Sequence, residues 1–181
     1  MAVYTKINNK DISLLSKKFN LGKIIKFQGI KQGIENTNYL LKTKKTKYIL
    51  TIFEKRVQKK DLPFFMKLMD GLSQKKINCP KPLKYKNSRY LTIIRNKSAC
   101  IVSFLKGKDK KILNLKNCHD VGKMIAHLHL STTRLRLYRK NSMGVKNLYS
   151  LLNSIKFKSK RFPNIEKFLK INFKDIKIKW P

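Results

Sequence analysis

The sequence predicts an α+β fold in two parts, and three patterns support this prediction. Segments with strand-like alternation fill most of residues 23–104 and are interrupted by one helical segment. Beyond residue 120 the apolar residues recur at helical spacing, and the polar run KGKD at residues 106–109 lies between the two patterns. A run of strands followed by helices is typical of an α+β fold or of two lobes. We therefore divide the chain into residues 1–105 and 106–181.

The first part is expected to hold five strands and two helices. An amphipathic helix is predicted at residues 11–19, followed by strands at 23–28, 37–43 and 47–53. Asp61, Leu62 and Pro63 mark the start of a second helix, because proline is favoured in the first helical turn. Strands at residues 89–94 and 99–104 then form a hairpin with its turn near Asn96.

The second part is expected to be helical. Val121, Met124, Ile125 and Leu128 form one apolar stripe, and further helices are predicted at residues 145–155 and 164–171. No apolar run approaches the roughly 20 residues that span a bilayer. The N-terminus has no apolar segment typical of a signal peptide. The three cysteines form no closely spaced pair, so we expect a reducing compartment, the cytoplasm, and no membrane association.

The charge of the chain allows an alternative function. Lysine plus arginine number 44 against 9 acidic residues, which gives a net charge of +35. Such a charge is typical of proteins that bind nucleic acid without catalysis. However, lysine outnumbers arginine 37 to 7 and there are only 3 alanines, as expected from an A/T-rich genome. The lysines are also scattered, without a basic tail. We therefore expect no specific nucleic-acid partner.

The sequence lacks the usual signatures of metal or hydrolase sites. His127 and His129 point to nearly opposite sides of a helix, so we expect no metal pair, and we expect His129 to pack in the core or against another helix. None of the nine acidic residues lies in a recognisable metal-binding motif. Residues 29–38 (GIKQGIENTN) link two strands and contain two glycines, which would allow backbone amides to approach a phosphate. Taken alone, this segment is equally well a plain hairpin loop.

Seven segments between Met1 and Ser131 form a distinctive series. They are MAVYT at 1–5, FQGIKQGIENTNYLL at 27–41, KYILTIFEKRV at 47–57, DLPFFMKLMDGL at 61–72, NCPKPL at 78–83, ACIVSFLKGK at 99–108 and VGKMIAHLHLS at 121–131. In this order they resemble the homoserine kinases of the aminoglycoside-phosphotransferase-like type, and collinear blocks are more specific than any single motif.

This resemblance implies a protein-kinase-like bilobal fold. Residues 1–105 would be the nucleotide-binding N-lobe, an antiparallel sheet with a helix, and residues 106–181 the hinge and the start of a helical C-lobe. The implied reaction transfers the γ-phosphoryl group of ATP, with Mg²⁺, to the side-chain hydroxyl of L-homoserine. The product, O-phospho-L-homoserine, belongs to threonine biosynthesis.

The resemblance also implies the nucleotide-binding residues. The loop that covers the nucleotide phosphates corresponds to residues 29–38, and the hinge that bonds the adenine edge to residues 103–105. Cys100 and Val102, or alternatively Ile101, would line the adenine pocket. The cofactor-binding candidates are Gly29, Gly33, Asn36, Thr37, Asn38, Thr51, Ser103, Phe104 and Leu105.

Two departures from the kinase pattern stand out. Thr51 occupies the third-strand position where kinases carry a phosphate-binding lysine, and the following helix offers Asp61 and Asp70 instead of the partner glutamate. The chain also stops where the catalytic loop would follow. The catalytic base and the metal ligands are therefore expected beyond Pro181, the sequence is expected to be an incomplete fragment, and these 181 residues alone are expected to be inactive.

Three hypotheses about function remain besides that of a homoserine kinase. The chain could be part of a kinase for choline or an aminoglycoside, a degenerate module without catalysis, or the basic nucleic-acid-binding protein described above.

Overall fold

The computed structural model describes residues 3–55, residues 57–141 and the single positions 144, 147, 150, 167 and 171. The chain divides into two compact units, Met1–Tyr138 and Arg139–Pro181. The boundary near residues 105–109 stays a prediction. In the second unit, residues 147, 150, 167 and 171 are helical, within the predicted helices at 145–155 and 164–171. The remainder of those two helices lies outside the described residues.

All the secondary-structure elements named below lie in the first unit. Helix α1 precedes three strands, helix α2 precedes a hairpin, and helix α3 ends the unit. Their bounds are α1 Asn9–Phe19, β1 Ile24–Gly29, β2 Thr37–Thr43, β3 Lys47–Ile52, α2 Leu62–Gln74, β4 Thr92–Ile94, β5 Lys97–Ser103 and α3 Leu115–Thr132. The order of strands and helices agrees with the sequence prediction.

The five strands form one antiparallel sheet in the order β1-β2-β3-β5-β4. Strands β3 and β5 are therefore neighbours although α2 and β4 separate them in the chain. This confirms the predicted antiparallel sheet. Because β3 and β5 lie inside the sheet, both of their edges are hydrogen-bonded, and their residues form the two faces on which the helices pack.

The two faces of the sheet belong to different cores. One face carries the fully buried Leu41, Leu50 and Ile101, which pack with Leu15 and Phe19 of α1. On the opposite face, the second core groups Cys100 and Val102 of β5 with Met66 of α2. Since successive side chains of a strand point to opposite faces, β3 and β5 serve both cores at once.

The hairpin differs in detail from its prediction. Strand β4 begins at Thr92 rather than at residue 89, because Arg89 pairs with Tyr85 after a 3₁₀ turn at Lys86–Ser88. Strand β5 begins at Lys97 rather than at residue 99. Arg95 and Asn96 have φ angles of 47° and 62° and close a tight turn near Asn96, as predicted. Two successive left-handed residues match the twist of a hairpin.

Helix α1 has well-defined ends. Asn8 and Asp11 form a capping box, in which each side chain accepts a hydrogen bond from the other residue's backbone N–H. The Asp11 carboxylate also accepts hydrogen bonds from Arg95, which joins α1 to the β4–β5 turn. Burial alone would raise the pKa of Asp11, but the Asn8 N–H and the Arg95 guanidinium outweigh it and lower the pKa.

A polar network closes the end of the sheet beside the N-terminal segment. The Glu54 carboxylate accepts hydrogen bonds from Thr5 (2.6 Å) and Thr37 (2.7 Å) and forms an ion pair with Lys97. Burial raises the pKa of Glu54, but Lys97, Thr5 and Thr37 lower it by more, so that the carboxylate is charged near neutral pH. Tyr39 adds a hydrogen bond from its hydroxyl to the Thr5 carbonyl. The network connects the N-terminal segment, β2, the end of β3 and β5.

Helix α3 exposes much of its apolar stripe. Val121, Met124 and Ile125 are each about half exposed in the described part of the chain. His129 is exposed as well, so the expectation that it packs in the core is wrong: Leu128 is the residue of this stripe that is partly covered. No helix of the described residues is long and apolar enough to cross a membrane.

The two faces of β3 predict different losses of stability. Leu50 is fully buried, and truncating such a residue to alanine typically lowers the free energy of unfolding by about 2–5 kcal/mol. Its neighbour Ile49 is half-buried on the opposite face, and we expect Ile49→Ala to lower it by roughly half as much or less. Urea denaturation of both variants measures the difference. Equal losses would contradict the assignment of the two faces.

The Glu54 network predicts a pH-dependent contribution to stability. The pKa of Glu54 lies below its usual value of 4.5, so its ionic form stabilises the fold above that pH. The contribution is lost as the pH falls through the lowered pKa. We expect Glu54→Gln to lower the free energy of unfolding by about 1–3 kcal/mol at pH 7. The difference in free energy of unfolding between this variant and wild type should become smaller as the pH falls.

Denaturation curves between pH 3 and 7 test this expectation. Asp109→Asn, which removes an exposed carboxylate, is the matched control and should follow the wild-type curve. If the free energies of unfolding of Glu54→Gln and wild type differed by the same amount at every pH, the charge of Glu54 would make no contribution and its effect would be one of packing.

Candidate functional site

A cleft of about 590 Å³ lies between the second face of the sheet and helix α2. The sheet contributes Ile49, Thr51, Cys100 and Val102, and α2 contributes Phe65, Met66 and Met69. The cleft is bordered at one end by Ser103, Phe104 and Leu105, and elsewhere by Ile30, Asn36, Asn38, Phe53, Val57 and Pro80.

Strand alternation explains which residues of β3 and β5 face the cleft. Thr51 is opposite Cys100, and Ile49 is opposite Val102, in the antiparallel register. Both pairs share one face, whereas Leu50 and Ile101 lie on the other face in the first core. The alternatives predicted for β5 thus fall on opposite sides of the sheet, and Cys100 and Val102 are the pair in the cleft.

The floor of the cleft is apolar and uncharged. Burial raises the pKa of the Cys100 thiol to about 12, so this group is neutral at physiological pH. Among the described residues that line the cleft, none carries a charge. Such a surface suits a flat, neutral, mostly apolar group such as an aromatic base.

Residues 103–105 leave the sheet at the end of β5 and offer backbone groups to the cleft. The Phe104 N–H donates to the Lys47 carbonyl (3.4 Å), and the Ser103 N–H donates to the Lys81 carbonyl (2.9 Å). The Leu105 N–H has no hydrogen-bond partner among the described residues. In the register of β5 with β3, the backbone N–H and carbonyl of Ser103 both lie on the side away from β3.

The other polar end of the cleft is built from β2 and β3. Asn38 and Thr51 are directly opposite each other, and the Thr51 hydroxyl donates to Oδ1 of Asn38 (2.8 Å). The backbone N–H of Glu54 donates to Oδ1 of Asn36 (3.3 Å). Both asparagines are half-buried, and both line the cleft.

Three of the candidate residues lie outside the cleft. Thr37 is fully buried, and its hydroxyl accepts hydrogen bonds from the Tyr4 and Thr5 N–H groups while it donates to Glu54. Gly29 lies against Val3, where a β-carbon would be 2.8 Å from a methyl group. Gly33 has a φ of +102° in the exposed loop, a conformation that favours glycine.

The carboxylate that the sequence offered on α2 does not reach the cleft. Asp70 accepts hydrogen bonds from Tyr90 (2.8 Å) and Gln74 (3.1 Å) and pairs with Lys84 (3.0 Å). Burial raises the pKa of Asp70, but Tyr90 and Lys84 lower it by more. The cleft-facing positions of α2 are instead Phe65, Met66 and Met69, so no lysine–glutamate pair spans the described cleft.

Sequence reasoning missed several residues that shape the site. Phe65, Met66 and Met69 belong to the apolar stripe of α2, but the stripe alone does not show whether it faces a solid core or a cleft. Glu54 is the second residue after β3, and its partners Thr5 and Lys97 are 49 and 43 residues away in the sequence. Within the described residues, no group of three or more histidine, cysteine or acidic side chains could hold a metal ion.

Comparisons with known proteins agree with this geometry. The model of the phosphotransferase enzyme family (APH) matches residues 26–151. A homoserine kinase of Paramagnetospirillum magneticum is 36% identical over 156 residues, which are 86% of this chain and 48% of that protein. One of Allorhizobium ampelinum is 41% identical over 145 residues (80% and 45%), and one of Mesorhizobium japonicum 32% over 182 residues (100% and 57%). The chain spans about half the length of the curated relatives it matches.

A solved structure shares the fold. Spectinomycin phosphotransferase, crystallised with ADP and spectinomycin, superposes with a TM-score of 0.59 at 14% identity. The match covers 95% of this chain and 55% of that protein. At this identity the likeness concerns the fold, which is the kinase-like fold expected from the sequence. The family model spans well over half of the chain, and the chain therefore belongs to the phosphotransferase enzyme family.

Proposed function

We propose that this chain forms the nucleotide-binding half of a homoserine kinase. The whole enzyme would transfer the γ-phosphoryl group of ATP to the side-chain hydroxyl of L-homoserine and release ADP and O-phospho-L-homoserine, a step of threonine biosynthesis in the cytoplasm. The relatives named homoserine kinase support the substrate, since they match 80–100% of this chain at 32–41% identity. The cleft supports the nucleotide.

The observation that carries the nucleotide proposal is the pairing of an apolar slot with free backbone groups at its edge. Ile49 and Val102 on the sheet and Met69 on α2 offer surfaces for the two faces of an adenine ring. The Leu105 N–H and the Ser103 carbonyl would supply a donor and an acceptor at this edge of the cleft. Adenine presents a ring nitrogen acceptor beside an amino-group donor, which complements that pair.

The polar end of the cleft suits the phosphates. Tyr48 of β3 is opposite Ser103. Thr51 lies three residues further along β3, about 10 Å from Tyr48 at about 3.3 Å per residue. A nucleotide whose base bonds to residues 103–105 would therefore extend its phosphates toward Asn36 and Asn38. Phe53 and Ile30 border the same end and would limit the access of water.

Phosphoryl transfer also requires a base for the substrate hydroxyl and ligands for Mg²⁺. Within the described residues, no group of three or more histidine, cysteine or acidic side chains could hold the metal, and the cleft lining contains no acidic side chain that could act as the base. Because the relatives are about twice as long, we expect these groups and most of the homoserine contacts in the remaining half of the enzyme.

The adenine assignment predicts the effect of removing one backbone donor. Leu105→Pro deletes the N–H proposed to bond the ring, and we expect adenosine to bind about tenfold more weakly. Leu105→Ala is the matched control: it keeps the N–H and is expected to lose no more than about threefold. Isothermal titration with adenosine measures both. Equal losses in the two variants would refute a backbone contact at residue 105.

The substrate assignment predicts selectivity among alcohols. We expect the full-length gene product to release ADP from ATP in the presence of L-homoserine, and not with choline or spectinomycin. A coupled assay of ADP release measures this, with the 181-residue chain as the control that binds nucleotide without turnover. Turnover with spectinomycin or choline instead of homoserine would assign the protein to another small-molecule kinase, and turnover by the 181-residue chain would contradict the two-half division.

A further inference from the structure

Two carboxamide side chains border the cleft with their oxygen atoms already engaged. Oδ1 of Asn36 accepts the backbone N–H of Glu54, and Oδ1 of Asn38 accepts the Thr51 hydroxyl. A carboxamide has one acceptor oxygen and one amino group with two N–H donors. Since a backbone N–H only donates, the oxygen of Asn36 must point toward Glu54, and this fixes the orientation of its amide.

The amino groups are consequently the ends available to a ligand. Among the described residues, neither amino group donates to a protein partner. Asn36 and Asn38 lie on either side of Thr37, where β2 begins, and both line the cleft. Together they present as many as four N–H donors at the end of the cleft that is away from residues 103–105.

Thr51 has a distinct part in this arrangement. It occupies the third-strand position at which kinases place a phosphate-binding lysine, and a threonine brings no charge to that position. Its hydroxyl instead faces the asparagine directly opposite on β2 and holds the amide of Asn38 with its amino group outward. Thr51 therefore accounts both for the absence of a positive charge at this position and for the orientation of the Asn38 amide.

Lys55 and Lys59, which lie beside the cleft, are not among its described lining residues. Lys55 and Lys59 line a smaller hollow of about 310 Å³, which shares only Phe53 and Val57 with the main cleft. The third lysine of this hollow, Lys97, is paired with Glu54. The cleft itself thus has neutral donors, and the described cations lie beside it.

We propose that the amide groups of Asn36 and Asn38 form the phosphate-recognition pair of this cleft, and that Thr51 and the backbone N–H of Glu54 are the positioning groups that aim them. This inference rests on the proposed function, because it assumes that a nucleotide occupies the cleft. Hydrogen bonds from neutral donors to a charged phosphate are stronger than those between neutral groups. Thr37, which lies between the two asparagines, has a structural role instead, because its hydroxyl donates a hydrogen bond to the Glu54 carboxylate.

The experiment compares adenosine with ADP, which differ only in the phosphates. Isothermal titration of the 181-residue chain is carried out for wild type, Asn38→Leu, Thr51→Val and Thr51→Ser. We expect Asn38→Leu and Thr51→Val to bind ADP about tenfold more weakly and to change adenosine binding by less than about twofold. Thr51→Ser keeps the hydroxyl and is expected to restore the ADP affinity.

The comparison of two ligands separates positioning from structural damage, because a distorted cleft would weaken adenosine as much as ADP. Equal losses for the two ligands in Thr51→Val would overturn the positioning role. The proposal is also overturned if Asn38→Leu leaves ADP binding unchanged, or if Lys55→Met and Lys59→Met together remove the preference for ADP while the asparagine variant keeps it.

Failure of this inference is distinguishable from failure of the proposed function. Wild-type chain that binds neither adenosine nor ADP would overturn both. Wild-type chain that binds adenosine, with an ADP affinity that Asn38→Leu and Thr51→Val do not alter, would overturn the phosphate-recognition pair and leave the adenine site intact.

Discussion

The antiparallel register of β3 and β5 is the constraint on which both the core and the cleft depend. Leu50 and Ile101 point to the face covered by α1, and Thr51 and Cys100 point to the face beside α2. A slip of one residue would send each set to the wrong face. The fully buried residues of the first core oppose that slip, since it would expose them to the cleft. The hydrophobic core thereby fixes the chemistry of the site.

The Glu54 network extends this control to the loop that borders the cleft. Its hydrogen bonds to Thr37 and Thr5 hold the start of β2 against the N-terminal segment. Asn36, which precedes Thr37, is placed by the same residue, because Glu54 binds Thr37 with its side chain and Asn36 with its backbone N–H. A buried network whose members all have partners favours one arrangement of the chain, because every alternative leaves polar groups unpaired.

The periodicity of apolar residues predicts the helices and strands, because it is a local pattern. It does not predict polar contacts between residues that are far apart in the sequence. The alternation of residues 47–53 predicted β3, and Pro63 in a first helical turn predicted the start of α2, because both signals are local. Asn36, Asn38, Thr51 and residues 103–105 lie at the cleft, although their assignment came from a resemblance. Thr37 was grouped with its neighbours because loop residues look alike in sequence, whereas its partners Glu54 and Tyr4 are 17 and 33 residues away. Asp70 was offered as a partner for a lysine, and only the fold shows it beside Tyr90.

The distribution of charge is consistent with the proposal that this chain recognises the nucleotide and that the charge of the phosphates is neutralised by groups elsewhere. The chain carries a net charge of +35, yet the described lining of the cleft is neutral. A neutral, apolar slot favours the adenine ring, since no charged group there loses its hydration when the ring binds. Phosphoryl transfer, in contrast, develops negative charge that cations must stabilise. In the proposed site, the amides of Asn36 and Asn38 would hold the phosphates in place without supplying that stabilisation, because Thr51 brings no cation to the cleft. The cations that stabilise the developing charge would then come from groups outside the described lining of the cleft.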